Sequence, residues 1–426
     1  MPSPRVVRVA QLITSFELLP IIAITPVLLF PTPGRVIVLA VVPLLWISAR
    51  IGGEPIVPAT PMNTALWMLL SMVGVTLLVT IDVVLSLGKV CGVLLGVLLF
   101  WSIVRWLDTP ARLKIAAVAF VFAGAGLAVI GLLGANWDNK FAAIGAITGR
   151  IPEAIRGVPG AEGGFNTNAV GGCLILFIPL QIGLLTAQPG WLFSGRAGNR
   201  RLVILEVLLL MLTAGTLVLT ESRTAWISLG VAGVVFLVWY RRWTQVLVTT
   251  SAVALATLIA FVGTDPLWDF IVSRSGPAFV STFDLRMKLW SIGLTALQDY
   301  KFTGMGLNVF RKLLPIRYPG YPALPGEEIS HAHNHLLQAG LDLGVPGLIA
   351  YLAIWIIAGV LLVQVYRRSA QSSFRVLAGG LGAGLVAHFV FGMADVIPLG
   401  AKVGVLFWLT LAFTVALHRV ALTRSG

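Results

Sequence analysis

The chain is poor in charge. Asp, Glu, Lys and Arg make up 11% of its 426 residues, against roughly 25% in soluble domains. Hydrophobic residues reach 58%, and a soluble fold of this size still exposes about a quarter of its unfolded-chain surface. That composition cannot be hidden in water, so the bilayer is the solvent for most of the chain. Without water to satisfy backbone groups, a spanning structure is a helix bundle or a closed barrel. The apolar runs are long and unbroken and lack period-2 alternation, which selects helices.

Cysteine is equally scarce. Cys91 and Cys173 both lie in apolar segments, which argues against a disulfide framework or a thiolate metal site. Internal repeats and low-complexity segments are absent. Acidic residues are few beside 30 Lys and Arg, and the formal net charge is +13. A nucleic-acid partner does not follow, because the basic residues fall in short clusters between apolar spans. That is the pattern of cytoplasmic loops beside anionic lipid.

A membrane-spanning helix needs about 20 residues. About a dozen candidate spans follow on that criterion, over 10–30, 36–50, 64–85, 90–107, 115–135, 169–187, 202–220, 225–240, 246–263, 345–366, 376–394 and 402–418. Arg5 and Arg8 precede the first, which resembles a signal peptide. Pro20, Pro26 and Glu17 interrupt it and no small-x-small cleavage site stands out, so it reads as a retained helix. Basic residues gather in alternate connections, among them Arg105, Arg112 and Lys114, then Arg200 and Arg201, then Arg367, Arg368 and Arg375. The short connections opposite hold Arg35, Lys89, Arg223 and Lys402. This asymmetry puts both termini in the cytoplasm. The expected architecture is an all-α integral membrane protein with residues 1–426 as one polytopic domain. Two external loops are long, 136–168 and 264–344. Loops of that length are functional or disordered, and the aromatic content of 264–344 argues against disorder. Residues 286–300 within it read as an amphipathic helix.

Chemistry concentrates at that outer side. Three of the five histidines fall within His331-Ala332-His333-Asn334-His335, followed by Gly344-Val345-Pro346-Gly347. Histidine suits proton transfer near neutral pH, so a general base is the favoured reading. The competing readings are a polar interfacial loop and a zinc site, the latter without a nearby acidic partner in sequence. Glu221-Ser222-Arg223-Thr224 is a tight polar turn between two spans, and Arg223 there suits an anion site or snorkels to headgroups. Arg286 and Lys288 open the loop helix, and Arg311, Lys312 and Arg317 follow. Singly each is a solvated charge. Together they offer guanidinium groups for phosphate. Asp395 closes the eleventh span, with His388 two turns earlier, and it acts at the site, caps the helix or pairs with Lys402. Asp82 and Glu17 are weaker candidates.

No Asp-x-Asp pair occurs in the outer loops, which disfavours magnesium or manganese chemistry. A histidine base with several arginines suits attack by a neutral hydroxyl on a donor whose leaving group is a diphosphate. That is glycosyl transfer from a polyprenyl-diphosphate donor at a membrane surface.

These residues resemble the O-antigen ligases (WaaL type), within the wider O-antigen ligase/polymerase superfamily. The resemblance rests on His333-Asn334, nine residues, then Gly344-x-x-Gly347 entering a span, with Ser222-Arg223 opening another and Arg286-x-x-x-Trp290 in the loop. Gly304-Met305-Gly306-Leu307-Asn308-Val309-Phe310 is similar to a glycine-rich stretch of that family. The topology matches over essentially the whole chain, the motifs over about residues 220–350. The resemblance implies a GT-C-like fold in the bacterial inner membrane and metal-independent, inverting transfer without a cofactor. The implied donor is O-antigen on undecaprenyl diphosphate and the acceptor a terminal sugar of the lipid A–core oligosaccharide, on the periplasmic side. His333 would be the base and Asn334 its orienting neighbour, with Arg223 and Arg286 on the diphosphate. Asp395, His331, His335, Arg317, Ser222 and Lys288 would support them. The rivals are an O-antigen polymerase, a protein O-oligosaccharyltransferase and, in another class, a lipid-linked glycan flippase.

Overall fold

The structure, a computed structural model, describes residues 3–137, 141–159, 161–187, 200–240, 277–318, 320–322 and 328–422. Almost all of that backbone is helical. In chain order the helices are α1 (Pro4–Ser15), α2 (Leu18–Leu29), α3 (Val41–Ile51), α4 (Asn63–Val79), α5 (Val83–Trp106), α6 (Pro110–Gly134) and α7 (Ala142–Thr148). There follow α8 (Thr167–Leu174), α9 (Ile178–Ala187), α10 (Arg200–Leu219), α11 (Arg223–Tyr240), α12 (Pro277–Asp299) and α13 (Phe310–Arg317). The chain closes with α14 (His335–Arg368), α15 (Ser372–Ala394) and α16 (Val405–Leu422). Strands among the described residues are limited to a two-residue parallel pair, β1 (Ala135–Asn136) with β2 (Phe165–Asn166).

Among the described residues, seven helical segments are long and apolar enough to cross a membrane, or eight if the bent pair α1–α2 counts as one. The molecule is thus a multi-pass helical membrane protein. Helices α4 and α11 are apolar but shorter, and the span expected over 246–263 lies outside the described residues. Several boundaries differ from the sequence reading, each for a local reason. The first span bends by 51° between α1 and α2. Glu17 at the bend is tied to Arg105 of α5 by a 2.9 Å ion pair. Helix α5 begins at Val83 because the Asp82 carboxylate accepts from the Leu85 N–H at 2.9 Å, an N-cap that satisfies an otherwise unpaired donor. Lys89, expected in a short connection, therefore sits well inside α5. Thr109 starts α6 in the same way, with Pro110 in its first turn.

The core is built around α14, which packs on α4, α12, α15 and α16, while α11 and α9 lie against α15 and α16 against α5. Glycines permit the closest of these approaches. A Cβ at Gly96 of α5 would collide with the Trp408 ring of α16, and one at Gly380 of α15 would sit 2.6 Å from Leu180 Cα of α9. Helix α14 is not continuous. Gly344 has φ 71° and ψ 177°, a region open to glycine alone, and the backbone breaks there. The break frees two groups that the 299–309 segment takes up. The Leu341 carbonyl accepts from Met305 N–H and the Val345 N–H donates to the Lys301 carbonyl, both at 2.7 Å. Gly304, with φ 69°, passes so close that a Cβ would lie 2.5 Å from the Asp342 carbonyl oxygen.

The ends of α4, α6, α10 and α15 and the starts of α5, α8, α11 and α14 gather at one end of the bundle. Asn308 donates to the Leu85 carbonyl at 3.0 Å, Lys312 pairs with Asp82 at 2.7 Å and Lys402 donates to the Pro159 carbonyl. The described parts of both long loops, 136–168 and 264–344, meet at this end.

Candidate functional site

The short segment before α14 carries the histidines, and its backbone is pinned. The Asn334 side chain is the N-cap of α14, its oxygen accepting from Leu336 and Leu337 N–H at 3.1 and 3.0 Å. Its amide group donates to the Met393 carbonyl at 3.3 Å, which fastens the segment to the end of α15. Asn334 thus shapes the backbone beside His333. His333 itself has φ 50°, a left-handed conformation that costs an L residue roughly 1–2 kcal/mol.

From there the His333 side chain reaches Asp395, the last-turn cap of α15, with Nδ1 to Oδ1 at 3.3 Å. The pair is close but not aligned as a good hydrogen bond, as is common for catalytic pairs without substrate. Asp395 is buried, which works to raise its carboxyl. His333, His331 and the Val396 N–H outweigh that and hold it below the usual carboxylate range. An anionic Asp395 at this distance favours the His333 tautomer that carries its proton on Nδ1, with Nε2 as the acceptor nitrogen.

His331 and His335 are differently placed. The His331 ring lies edge-on to His333, with centroids 4.4 Å apart, and its Nδ1 accepts from the His333 N–H at 3.4 Å. Burial pushes His331 down to about 3, His333 and the Lys89 and Arg311 cations push the same way, and Asp395 opposes them. It is neutral and its acceptor nitrogen is already in use. His335 points into the bundle. Its Nδ1 is 2.9 Å from the Tyr351 hydroxyl and its ring packs edge-on to Trp355 and Phe389. It is a buried core histidine and lies apart from Asp395.

Arg286 comes from α12, which is anchored beside the histidines by a 2.9 Å bond from Trp290 Nε1 to the Ala332 carbonyl. One turn earlier, Arg286 lies close enough to Asp395 for that carboxylate to favour its charge, while burial lowers it. Among the described residues its buried Nε has no hydrogen-bond partner, a donor open to an acceptor. Arg223 opens α11 after the Ser222 cap, whose hydroxyl accepts from Ala225 N–H at 3.4 Å. Its guanidinium stands over the Phe141 ring at 5.5 Å, and Glu221 accepts from Phe141 N–H at 3.2 Å. Helix α8 joins this turn to the end of α15. A Cβ at Gly171 would meet Ser222, and one at Gly172 would collide with Phe391, one turn before Asp395. Arg223 thus faces the same end of the bundle without contacting Asp395. Arg317 and Lys288 are exposed. Arg317 lies beside Tyr318, which bonds Asp299 at 2.7 Å on the far face of the loop.

His331, His333 and Asp395 bring ligand atoms within 4.8 Å of one another, a donor set of the zinc type. The acidic partner that sequence spacing lacked comes from α15. The surroundings oppose a dication, however. Arg286 beside Asp395, and Lys89 and Arg311 acting on His331, give the site a positive field suited to an anion.

Residues 208–352 match the family model for O-antigen ligase. The match is consistent with the O-antigen ligase/polymerase superfamily, whose members are glycosyltransferase-like enzymes. No curated protein sequence matches the chain. The ligase-type stretch contains Arg223, Arg286, His331, His333 and Asn334, and also the Gly344 break. Asp395 and Lys89, which complete the site in space, lie outside it. Sequence reading had not singled out Lys89, Gln338 or Asp342. The Asp82 cap was the available signal for Lys89, since it moves the helix start ahead of that lysine.

Proposed function

We propose that the chain is an O-antigen ligase acting at the periplasmic face of the bacterial inner membrane. It transfers O-antigen from undecaprenyl diphosphate to a terminal sugar of lipid A–core. The observation that carries this reading is the 3.3 Å approach of His333 to Asp395, with Arg286 near enough for that carboxylate to act on its charge. His333 Nε2 takes the proton of the acceptor hydroxyl as its oxygen bonds to the anomeric carbon of the donor. The bond from that carbon to the diphosphate oxygen breaks, and the diphosphate leaves with the electron pair. Asp395 holds the imidazole through Nδ1 and stabilises the imidazolium that forms. Arg286, with Arg223 at the rim, neutralises charge on the leaving diphosphate. Attack opposite the leaving group inverts the anomeric configuration, and no step needs a metal.

The test is transfer by purified protein in lipid vesicles, given the lipid-linked donor and lipid A–core. Product is expected to form at the same rate with EDTA present, and loss of activity on chelation would remove the metal-free mechanism. A knockout strain is expected to keep finished polymer on its lipid carrier. Lipopolysaccharide capped by a single repeat would instead make the acceptor a growing chain, and loss of glycan from a secreted protein would make it a polypeptide. In the same assay Arg317→Ala and Lys288→Ala are expected to stay within about twofold of wild type, as exposed charges away from the special features of the fold usually do. A tenfold loss in either would extend the anion site onto the outer face of the loop.

A further inference from the structure

The left-handed conformation of His333 needs something to hold it, and the residue before it is held on both sides. Ala332 is completely buried. Its N–H donates to Gln338 Oε1 at 2.8 Å, and its carbonyl accepts from Trp290 Nε1 at 2.9 Å. Gln338 is in turn oriented by Asp342, one turn further along α14, through a 2.9 Å bond from Nε2 to Oδ1. This fixes the amide. A flipped Gln338 would set its NH₂ against the Ala332 N–H and its oxygen against the carboxylate. Gln338 and Asp342 are both buried, at 3% and 1% exposure, so their bonds are not exchanged with water. The Asn308 N–H donates to Asp342, and the Lys89 ammonium of α5 acts on it electrostatically. The far side of His333 is fixed by the Asn334 cap and its bond to Met393.

We propose that Gln338 and Trp290 form a clamp on the Ala332 peptide, backed by Asp342 and Lys89, that aims the His333 imidazole at Asp395. The inference rests on His333 being the base of the proposed transfer. None of the four reaches the reacting atoms, so they are positioning residues. Two long-range ties meet here, since α12 supplies Trp290 and α5 supplies Lys89. The aim of the base therefore depends on the loop and the bundle being docked together.

The decisive variant is Gln338→Leu, which removes both bonds at similar volume. In the reconstituted assay kcat is expected to fall at least tenfold while KM for the donor stays within twofold. Loosened from Asp395, His333 loses stabilisation of its protonated form, so the acidic limb of the kcat–pH profile is expected to move to lower pH. A lesion confined to packing would lower the amount of folded protein without moving that limb. An unshifted limb, unchanged kcat or a matching rise in KM would overturn the clamp. Should Gln338→Leu fail to accumulate, Trp290→Phe removes the other bond and keeps the ring, and the same three outcomes apply. The base assignment is tested separately: a fully active His333→Asn sinks the proposed reading, whereas a dead His333→Asn with an unaffected Gln338→Leu sinks the clamp alone.

Discussion

Replacing His333 is expected to lower turnover by about a hundred- to ten-thousand-fold, the usual range for a positioned general base. Asparagine is the better substitute than alanine, because it tolerates a positive φ and carries no basic nitrogen. Neither neighbouring histidine can take over. The Nδ1 of His331 accepts from the His333 backbone, and its surroundings push its titration down to about 3. His335 faces Tyr351, Trp355 and Phe389 inside the bundle. KM for the lipid-linked donor should barely move, since the proposed reading gives the diphosphate to Arg286 and Arg223. Single-turnover transfer in vesicles, with equal amounts of folded protein, measures the effect. Retention of more than a tenth of the activity would mean that the acceptor oxygen is deprotonated elsewhere.

The second large effect is expected at Gly344 and concerns folding. Any side chain there meets two penalties. Its φ of 71° with ψ of 177° lies in a region where non-glycine residues are strained by about 1–3 kcal/mol. A Cβ would also stand 2.8 Å from the Phe302 carbonyl carbon and oxygen and 2.9 Å from Gly304 N. Those atoms are backbone and cannot swing aside. Gly344→Val, branched at Cβ, is expected to leave no folded protein in the membrane, and Gly344→Ala to lower the melting midpoint in detergent by several degrees. Gly359, on the same helix, is the control. Nothing lies within 4 Å of a Cβ there, and alanine in a helix interior is favoured over glycine by up to about 1 kcal/mol. A Gly344→Ala protein as stable as Gly359→Ala would show that the break is not needed.

Much of the site was legible in the residues alone. Charge asymmetry assigned the long loops to one side, and histidine with arginine suggested a base and an anion. Asp395, Arg286 and His333 do come together, although they come from three separate elements. What stayed hidden depends on contacts distant in sequence. Lys89 looked like a loop charge because the Asp82 cap, which starts α5 earlier, is a single residue in an apolar run. Asp342 and Gln338 fell in the 264–344 loop and drew no notice, because what gives them a role, the Ala332 N–H, the Asn308 N–H and Lys89 of α5, comes from elsewhere in the chain. The spacing His331, His333, His335 suggested three equivalent groups. The left-handed turn at His333 and the helix start at His335 separate them into one facing Asp395, one paired with its neighbour's backbone and one in the core. Gly344-x-x-Gly347 served as a signature, and its physical content is a broken helix.

That break has a mechanical meaning. The groups released at Leu341 and Val345 are bonded to Met305 and Lys301, so the loop is sewn into the spanning helix at the depth where the helix interrupts itself. A segment fastened in this way is no hinged lid. It is bonded to α14 at two points and, through Trp290, to Ala332, so Arg286 on α12 and His333 before α14 are tied to one framework. In the proposed transfer, substrates would reach His333 alongside this fastened segment, and an opening for them would come from elements other than the stitched one.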